Sequence, residues 1–255
     1  MKTYEKLLKL GVFTINDVDD IYGNRNSAAS AVKSLQKKGL VKSVKKNLYV
    51  CNNIENRMPV ADKFKIGGSI TKDAYISHHS AFEFHGVGHQ LFFEIYVSSP
   101  NVFKPFEFDD ITYRYVASKS MEGVETYNTN RGVRVTNLER TVIDCLKDLD
   151  KAGGLEELLQ CLRLITYMDS DKLIKYLKIY NIQFLYQKAG YILEQFKDDL
   201  KLTEKLFDVC RDNVFKSKRY LNGTDEKDLV YNAKWRLLVP KNLLEFMEQG
   251  GQELV

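Results

Sequence analysis

The sequence is poor in cysteine and has no long apolar run. Its four cysteines, at positions 51, 145, 161 and 210, form no Cys-x-x-Cys pair and no short-range disulfide framework, which favours a compartment that keeps thiols reduced. No stretch approaches the roughly 20 apolar residues that a membrane-spanning helix needs. Lysines and a glutamate interrupt residues 1–13, where a signal peptide would need an apolar segment. The sequence therefore predicts a soluble cytoplasmic protein without a membrane partner.

The chain also lacks the short motifs that carry most enzyme chemistry. It contains no G-x-x-x-x-G-K-[ST], G-x-G-x-x-G, G-x-S-x-G or H-E-x-x-H. Residues 66–69 resemble the glycine–serine turn of nucleotidyltransferases, but the paired acids that would hold magnesium are missing, since only Asp73 lies between this turn and Glu83. The sequence thus predicts no catalysis and no cofactor. A nuclease assembled by folding from scattered acids stays open as an alternative, and its candidate residues are Asp109, Asp110, Glu122 and Glu125.

The length and composition of the chain are those of a globular protein, and its positive charge is concentrated at one end. At 255 residues it is longer than one small domain needs, and 44% hydrophobic with 28% charged residues is a globular composition that excludes wholesale disorder, collagen and a coiled-coil rod. Residues 1–50 hold ten Lys or Arg against four acids, a net charge of +6, whereas the other 205 residues carry −2. This excess of positive charge favours a polyanionic partner at the N-terminal end.

The first fifty residues predict a winged helix-turn-helix. Three short helical patterns come first; Thr14 caps the second with Asp17 three residues on, and Gly23 ends it. The third helix follows the polar run 24–27 and ends near Gly39. Residues 40–50 then alternate as a two-stranded ribbon with a basic tip. This order is that of a winged helix-turn-helix over residues 1–52, which places its last helix in the major groove and its wing beside the backbone.

The outer face of the third helix and the tip of the ribbon supply the candidate DNA contacts. Small, hydrogen-bonding and basic side chains can approach base edges and phosphates there. The predicted DNA-binding residues are Arg25, Asn26, Ser27, Ser30, Lys33, Ser34, Lys37, Lys45, Lys46 and Asn47. Those expected near bases are Asn26, Ser27, Ser30 and Lys33, and those expected at phosphates are Arg25, Lys37, Lys45 and Lys46. A helix-turn-helix used only for protein docking stays open as a further alternative.

The rest of the chain predicts an α+β domain over residues 58–255, after a linker near residues 51–58. Its sheet part, about 58–136, includes a short helix over Ile76–Phe84, a buried strand over Leu91–Val97 and one strand over Phe106–Val116. Its helical part, about 137–255, begins with a predicted capping box at 136–139. In this motif the Thr136 hydroxyl accepts a hydrogen bond from the backbone N–H of Glu139, and the Glu139 carboxylate accepts one from the backbone N–H of Thr136. A short strand over Trp235–Val239 precedes Pro240 and a closing helix.

All four histidines fall in one short segment, at positions 78, 79, 85 and 89. The spacing of His85 and His89 would place two imidazoles on one helix face, but Gly86 and Gly88 lie between them and break a helix. Because the sequence shows no cysteine and no suitably placed acid nearby, we expect these histidines to cap, turn and pack rather than to bind zinc. The sequence thus predicts no metal site.

Five segments, in this order and after the winged helix, resemble AbiEi-type antitoxins. They are YISHHSAFEFHGV at 75–87, VTNLERTVIDCL at 135–146, GGLEELL at 153–159, KAGYILEQF at 188–196 and WRLLVP at 235–240. Two positions depart from the family pattern: Asn47 stands where a glycine is frequent in the wing, and Lys188 stands where an arginine is common. Asn47 also tolerates a left-handed backbone, so the turn is expected to form.

This resemblance implies a function. AbiEi-type antitoxins are the regulatory half of type IV toxin–antitoxin systems, which act in abortive phage infection. The N-terminal winged domain is expected to bind double-stranded DNA at inverted repeats upstream of its operon and to repress it. The C-terminal domain is expected to counteract, directly or indirectly, a partner toxin of the nucleotidyltransferase class. The missing paired acids after Ser69 fit the antitoxin rather than the toxin.

Overall fold

The computed structural model describes residues 2–128, 132–221, 229–241 and 243, and it confirms the α+β class. The chain divides into two compact units. The first comprises Met1–Ile76 and Phe92–Val135, and the second comprises Ser77–Leu91 and Thr136–Val255. That residues 1–52 fold as a separate domain stays a prediction. In the described part of the chain, no helix has the length and apolar character to cross a bilayer.

The N-terminal part of the first unit has three helices and a small antiparallel sheet. Its elements are α1 (Lys2–Leu10), β1 (Val12–Phe13), α2 (Ile15–Tyr22), α3 (Arg25–Lys37), β2 (Val41–Lys45) and β3 (Leu48–Cys51). The sheet order is β1-β3-β2, so the two-stranded ribbon expected from the sequence gains a third strand from the segment before α2. This order of elements is consistent with the predicted winged helix-turn-helix.

Local sequence signals fix the ends of α2 and α3. The Asp17 carboxylate accepts hydrogen bonds from the backbone N–H of Thr14 at 2.6 Å and from its hydroxyl at 2.7 Å, as expected for the start of α2. Gly23 ends α2 in the left-handed conformation, with φ 63°. Asn24 then caps α3, because its side chain accepts from the backbone N–H groups of residues 26 and 27. Two helices with a tight turn between them follow from these caps.

The remainder of the first unit is a six-stranded mixed sheet with a short helix, α4 (Lys63–Gly68), packed on it. Its strands are β4 (Tyr75–Ile76), β5 (Glu94–Ser99), β6 (Phe106–Phe108), β7 (Ile111–Ala117), β8 (Val124–Tyr127) and β9 (Val133–Thr136), in the order β6-β7-β5-β4-β9-β8. Gly67 lets α4 approach the sheet closely, because a Cβ there would lie 2.9 Å from Cδ1 of Ile76. Gly67, within the segment that resembles a nucleotidyltransferase turn, thus serves helix–sheet packing.

Three elements predicted between residues 76 and 116 have different bounds in the structure. The strand expected over Leu91–Val97 begins at Glu94, and Leu91 is 81% exposed instead of buried. The helix expected over Ile76–Phe84 begins only at His79, because residues 75–76 form β4. The single strand expected over Phe106–Val116 is a hairpin, β6–β7. Apolar alternation alone could not show its two-residue turn.

The turn of the β6–β7 hairpin consists of Asp109 and Asp110. Both have positive φ angles, 51° and 60°, and Phe108 pairs with Ile111 across them, which makes a type I′ turn. Because this turn favours glycine at its second position, Asp110→Gly is expected to raise the free energy of unfolding by roughly 0.5 kcal/mol. Asp110→Val should lower the same free energy, measured by chemical denaturation. Equal stability of the two variants would contradict the turn assignment.

The second unit is mainly helical. Its helices are α5 (His79–Phe84), α6 (Leu138–Lys147), a 3₁₀ turn (Leu149–Ala152), α7 (Gly154–Arg163), α8 (Ser170–Tyr180), α9 (Gln183–Gln195) and α10 (Glu204–Asp212). A small sheet of order β10-β12-β11 follows, with β10 (Arg219–Tyr220), β11 (Leu229–Asn232) and β12 (Leu237–Pro240). Trp235 is fully buried in the helical core against Gly190. The expected closing helix after Pro240 lies outside the described residues.

The start of α6 differs from the predicted capping box. Asn137, not Thr136, is the N-cap, and its side chain accepts from the backbone N–H of Arg140 at 3.0 Å. The Thr136 hydroxyl is instead 2.7 Å from the hydroxyl of Thr141, and the Glu139 carboxylate accepts from the backbone N–H of Asp169. The prediction of a reciprocal Thr136–Glu139 pair was therefore wrong. Asparagine caps a helix as well as threonine does, so the pattern fitted either position.

Candidate functional site

The outer face of α3 is accessible along its whole length. Ala28 and Val32 are buried against the other helices, with Leu35 partly buried beside them. Every α3 residue that we predicted to contact DNA is exposed: Arg25, Asn26, Ser27, Ser30, Lys33, Ser34 and Lys37. All but Arg25, which begins the helix on the side of Val32, lie on the face turned away from the buried residues, as the helical period requires. The helix therefore presents small polar and basic groups that reach outward with no large apolar side chain among them.

A groove of about 590 Å³ runs between α3 and the tip of the β2–β3 hairpin. Three basic side chains line it, two from α3 and one from the hairpin tip. Its lining residues are Ile15, Arg25, Ala29, Val32, Lys33, Gln36, Lys46, Asn47 and Tyr49. We call this the cationic groove. Sequence reasoning missed Gln36 and Tyr49, which neighbour the predicted residues only because the hairpin folds back beside the helix.

Asn47 connects the hairpin tip to the start of α2. It has a positive φ of 64°, the left-handed conformation that glycine adopts most easily and asparagine tolerates. Its side-chain oxygen accepts a hydrogen bond from the backbone N–H of Ile15 at 3.2 Å. This contact holds the tip of the hairpin, and with it the exposed Lys46, beside the helical part. A glycine at position 47 would allow the turn but not this hydrogen bond.

The two neighbouring hairpin lysines, Lys45 and Lys46, have different surroundings. The ammonium of Lys45 lies 5.2 Å from the ring centroids of both Phe103 and Phe106, and burial there lowers its pKa. Lys42, on the same strand, lies over Phe108 and forms an ion pair with Asp109. Only Lys46 of the two predicted hairpin lysines lines the cationic groove. Lys45 and Lys42 instead attach the hairpin to the β6–β7 region of the same unit.

The structure brings one histidine beside an acid and a cysteine that are distant in sequence. His79 Nε2 lies 2.8 Å from Oε1 of Glu157, and the Cys161 thiol donates to the same oxygen over 3.3 Å. His89 joins them through Nδ1, 3.3 Å from Oε2 of Glu157. The expectation that no acid and no cysteine accompany the histidines was therefore wrong. Glu157 and Cys161 follow His79 by 78 and 82 residues, so no local spacing could reveal the cluster.

Glu157 is ionised in this cluster. Burial by itself raises its pKa, but hydrogen bonds from His79, the backbone N–H of Gln90 and Cys161 outweigh burial and hold the pKa at about 2. Its side chain is only 1% exposed. Burial and the adjacent carboxylate both raise the pKa of the Cys161 thiol. The cluster thus contains nitrogen, oxygen and sulfur donors around one buried carboxylate.

The other two histidines have the structural roles expected from the sequence. His85 Nε2 contacts the backbone oxygen of Thr136 at 2.7 Å. His78 precedes α5 with a positive φ of 54°, and its Nδ1 lies 2.9 Å from the Ser77 hydroxyl. On its other side, Nε2 is 3.6 Å from a carboxylate oxygen of Asp148. Both side chains contact residues of the second unit and fix the chain around α5.

The acids of the nuclease alternative do not assemble into a metal-binding group. Asp109 and Asp110 form the β6–β7 turn, and Glu125 accepts a hydrogen bond from the Tyr127 hydroxyl. Among the residues that the structure describes, only His79, Glu157 and Cys161 bring three potential ligand atoms within 4.8 Å of one another. This geometry gives the nuclease alternative no support.

The fold of this chain is similar to that of a solved structure. A crystal structure of the protein RV2827C from Mycobacterium tuberculosis is similar, with a TM-score of 0.66 over 98% of this chain and 95% of that chain. The sequences are 12% identical, so the likeness concerns the fold alone. No curated protein matches the sequence.

A family model identifies the class of protein. Residues 74–195 match the model described as the AbiEi antitoxin C-terminal domain. The resemblance to AbiEi-type antitoxins is thereby confirmed, and this part of the chain is an AbiEi antitoxin domain. The match spans the first three resembling segments and nearly all of the fourth, whereas the WRLLVP segment lies beyond it.

Proposed function

We propose that this antitoxin is a DNA-binding repressor of its own operon. The observation that carries the proposal is the fully exposed polar face of α3 beside the cationic groove. A helix with small hydrogen-bonding residues can enter a major groove, and basic side chains that flank it can meet the phosphates on either side. Inverted repeats upstream of the operon are the proposed target.

Within this proposal the residues divide by role. Asn26, Ser27, Ser30 and Lys33 approach base edges, where short polar side chains form the directional bonds that read sequence. Arg25, Lys37 and Lys46 contact phosphates. Lys45 positions the hairpin, because its ammonium already lies over two aromatic rings. Ser34 and Asn47 flank these contacts, and Asn47 holds the hairpin tip.

The proposed partner of the second unit is a toxin of the nucleotidyltransferase class. An antitoxin implies a toxin, and the family match falls largely on the segments that form the helical core. The chain itself lacks the paired acids of such a toxin after Ser69, which supports the role of antitoxin for this chain. We propose that it acts by binding, without catalysis or cofactor, in a cytoplasmic type IV system of phage defence.

DNA binding can be tested on the upstream DNA of the operon by fluorescence anisotropy over a series of salt concentrations. If each protomer neutralises four to six phosphates, log K is expected to fall against log salt with a slope of about −4 to −5. A scrambled duplex of equal length is the control, and it should bind more weakly at every salt concentration. A flat salt response, or equal affinity for both duplexes, would contradict the proposal.

A further inference from the structure

We propose that His79, Glu157 and Cys161 bind a divalent transition-metal ion of the zinc type, with His89 as an outer partner of the glutamate. These side chains offer imidazole nitrogen, carboxylate oxygen and thiolate sulfur, which are the donors that Zn²⁺ uses in proteins. The ligand atoms of the first three lie within 4.8 Å of one another. His89 lies outside this group and supports it, because its Nδ1 is 3.3 Å from the other carboxylate oxygen of Glu157.

The spacing of the donor atoms is close to that of a tetrahedral site. With metal–ligand bonds of about 2.0 to 2.3 Å, neighbouring ligand atoms in a tetrahedron lie about 3.3 to 3.7 Å apart. Here Oε1 of Glu157 is 2.8 Å from His79 Nε2 and 3.3 Å from Cys161 Sγ, and the three ligand atoms lie within 4.8 Å of one another. Outward shifts of a few tenths of an ångström at the first two contacts would give the metal spacing.

The backbone arranges these side chains without help from an ion. Glu157 and Cys161 are four residues apart on α7 and therefore share one face of that helix. His79 is the first residue of α5. The backbone N–H groups of His89 and Gln90 both donate to Oε1 of Glu157, at 3.0 and 2.9 Å, so they fix the orientation of the carboxylate. Such supporting hydrogen bonds are typical of metal ligands.

One side of the cluster opens to solvent. The side chains of His79 and Glu157 are each 1% exposed, whereas that of His89 is 49% exposed. An ion would therefore enter past His89. The Cys161 thiol proton leaves to solvent as the metal–sulfur bond forms. Neutral His79 changes to its Nδ1–H tautomer, so that Nε2, whose proton otherwise faces Glu157, has its lone pair free for the metal. The oxidation state of the metal does not change. Since α5 and α7 belong to the same unit, the bound ion would connect the start of α5 to α7.

The test uses the purified 255-residue chain, loaded with excess Zn²⁺ or Co²⁺ and then desalted. We expect about one metal ion per chain by elemental analysis, and a thiolate-to-cobalt charge-transfer band in the near-ultraviolet spectrum of the Co²⁺ form. Cys161→Ser should abolish this band. Cys210→Ser is the matched control, because Cys210 is also buried in the second unit but lies outside the cluster, and it should keep the band.

A second variant keeps the test decisive if Cys161→Ser fails to fold. His89→Ala changes a half-exposed side chain and should weaken Co²⁺ binding at least roughly tenfold while the circular dichroism spectrum is retained. Wild-type protein without bound metal after loading would overturn the proposal. So would a charge-transfer band that persists in folded Cys161→Ser protein, or an affinity unchanged by His89→Ala. None of these results depends on DNA or on the toxin.

Discussion

Simultaneous replacement of the three proposed phosphate contacts, Arg25, Lys37 and Lys46, by alanine is expected to produce the largest loss of DNA affinity of any triple alanine replacement in the N-terminal part of the chain. Each phosphate contact contributes about 0.9 to the salt slope, so the slope should become shallower by about 2.7. At 0.1 M salt the affinity should fall by two to three orders of magnitude on any sequence. The loss is independent of sequence because charges that face phosphates do not read bases. Anisotropy titrations against salt measure both quantities.

The control for this triple variant removes the same charge elsewhere. Lys104, Lys119 and Lys178 are exposed and do not line the groove, so their joint replacement by alanine should leave the slope within about one unit of the wild type. Comparing Lys45→Ala with Lys46→Ala distinguishes a lysine that positions the hairpin from one that contacts a phosphate. Because Lys45 packs on Phe103 and Phe106, this variant should lower the thermal midpoint more than Lys46→Ala does. A slope that changes equally in both triple variants would contradict the groove as the interface.

Arg140→Ala is expected to cause a large loss of stability. The Arg140 side chain is 2% exposed; its Nε donates to Oδ1 of Asp144 at 2.8 Å, and a terminal nitrogen donates to the Tyr180 hydroxyl at 2.9 Å. Tyr180 in turn donates to Asp144. Truncating the arginine leaves a carboxylate buried without its cation, which should lower the free energy of unfolding by about 3 to 5 kcal/mol. Chemical denaturation followed by circular dichroism measures the loss.

A double-mutant cycle isolates the reason for that loss. Arg140→Ala combined with Asp144→Ala removes both charges, so its cost should be clearly smaller than the sum of the two single costs. The exposed pair of Lys205 and Asp171 is the reference, and Lys205→Ala should change the free energy of unfolding by less than about 1 kcal/mol. Strict additivity of the two replacements would show that the arginine and the aspartate are not coupled in the folded protein.

This buried pair lies within one of the segments that resemble AbiEi-type antitoxins. Arg140 and Asp144 both belong to the segment 135–146, which we compared with AbiEi-type antitoxins, and they stand four residues apart on α6. At that spacing their side chains meet on one helix face. The structure assigns this pattern to stabilisation of the helical core. Sequence alone attributed the region to helix capping, which needs only Asn137.

Local chemistry predicted some elements well and others badly. The caps at Asp17, Gly23 and Asn24 were predictable because a cap involves residues two to four positions apart. The β6–β7 turn was missed because aspartate marks a type I′ turn far less clearly than Asn-Gly does. The strand near Leu91 was placed too early, since an apolar run does not show which of its residues the sheet buries.

For the candidate sites, the sequence by itself determined the cationic N-terminal segment, the outward face of α3 and the antitoxin family, because charge, helical period and ordered motifs are properties of neighbouring residues. Only the tertiary structure decided that Lys46 lines the groove while Lys45 packs on aromatic rings. It also decided that Glu157 and Cys161 lie beside His79. The physical reason is that contacts between distant segments depend on how hairpins and helices pack, and no short pattern records that packing.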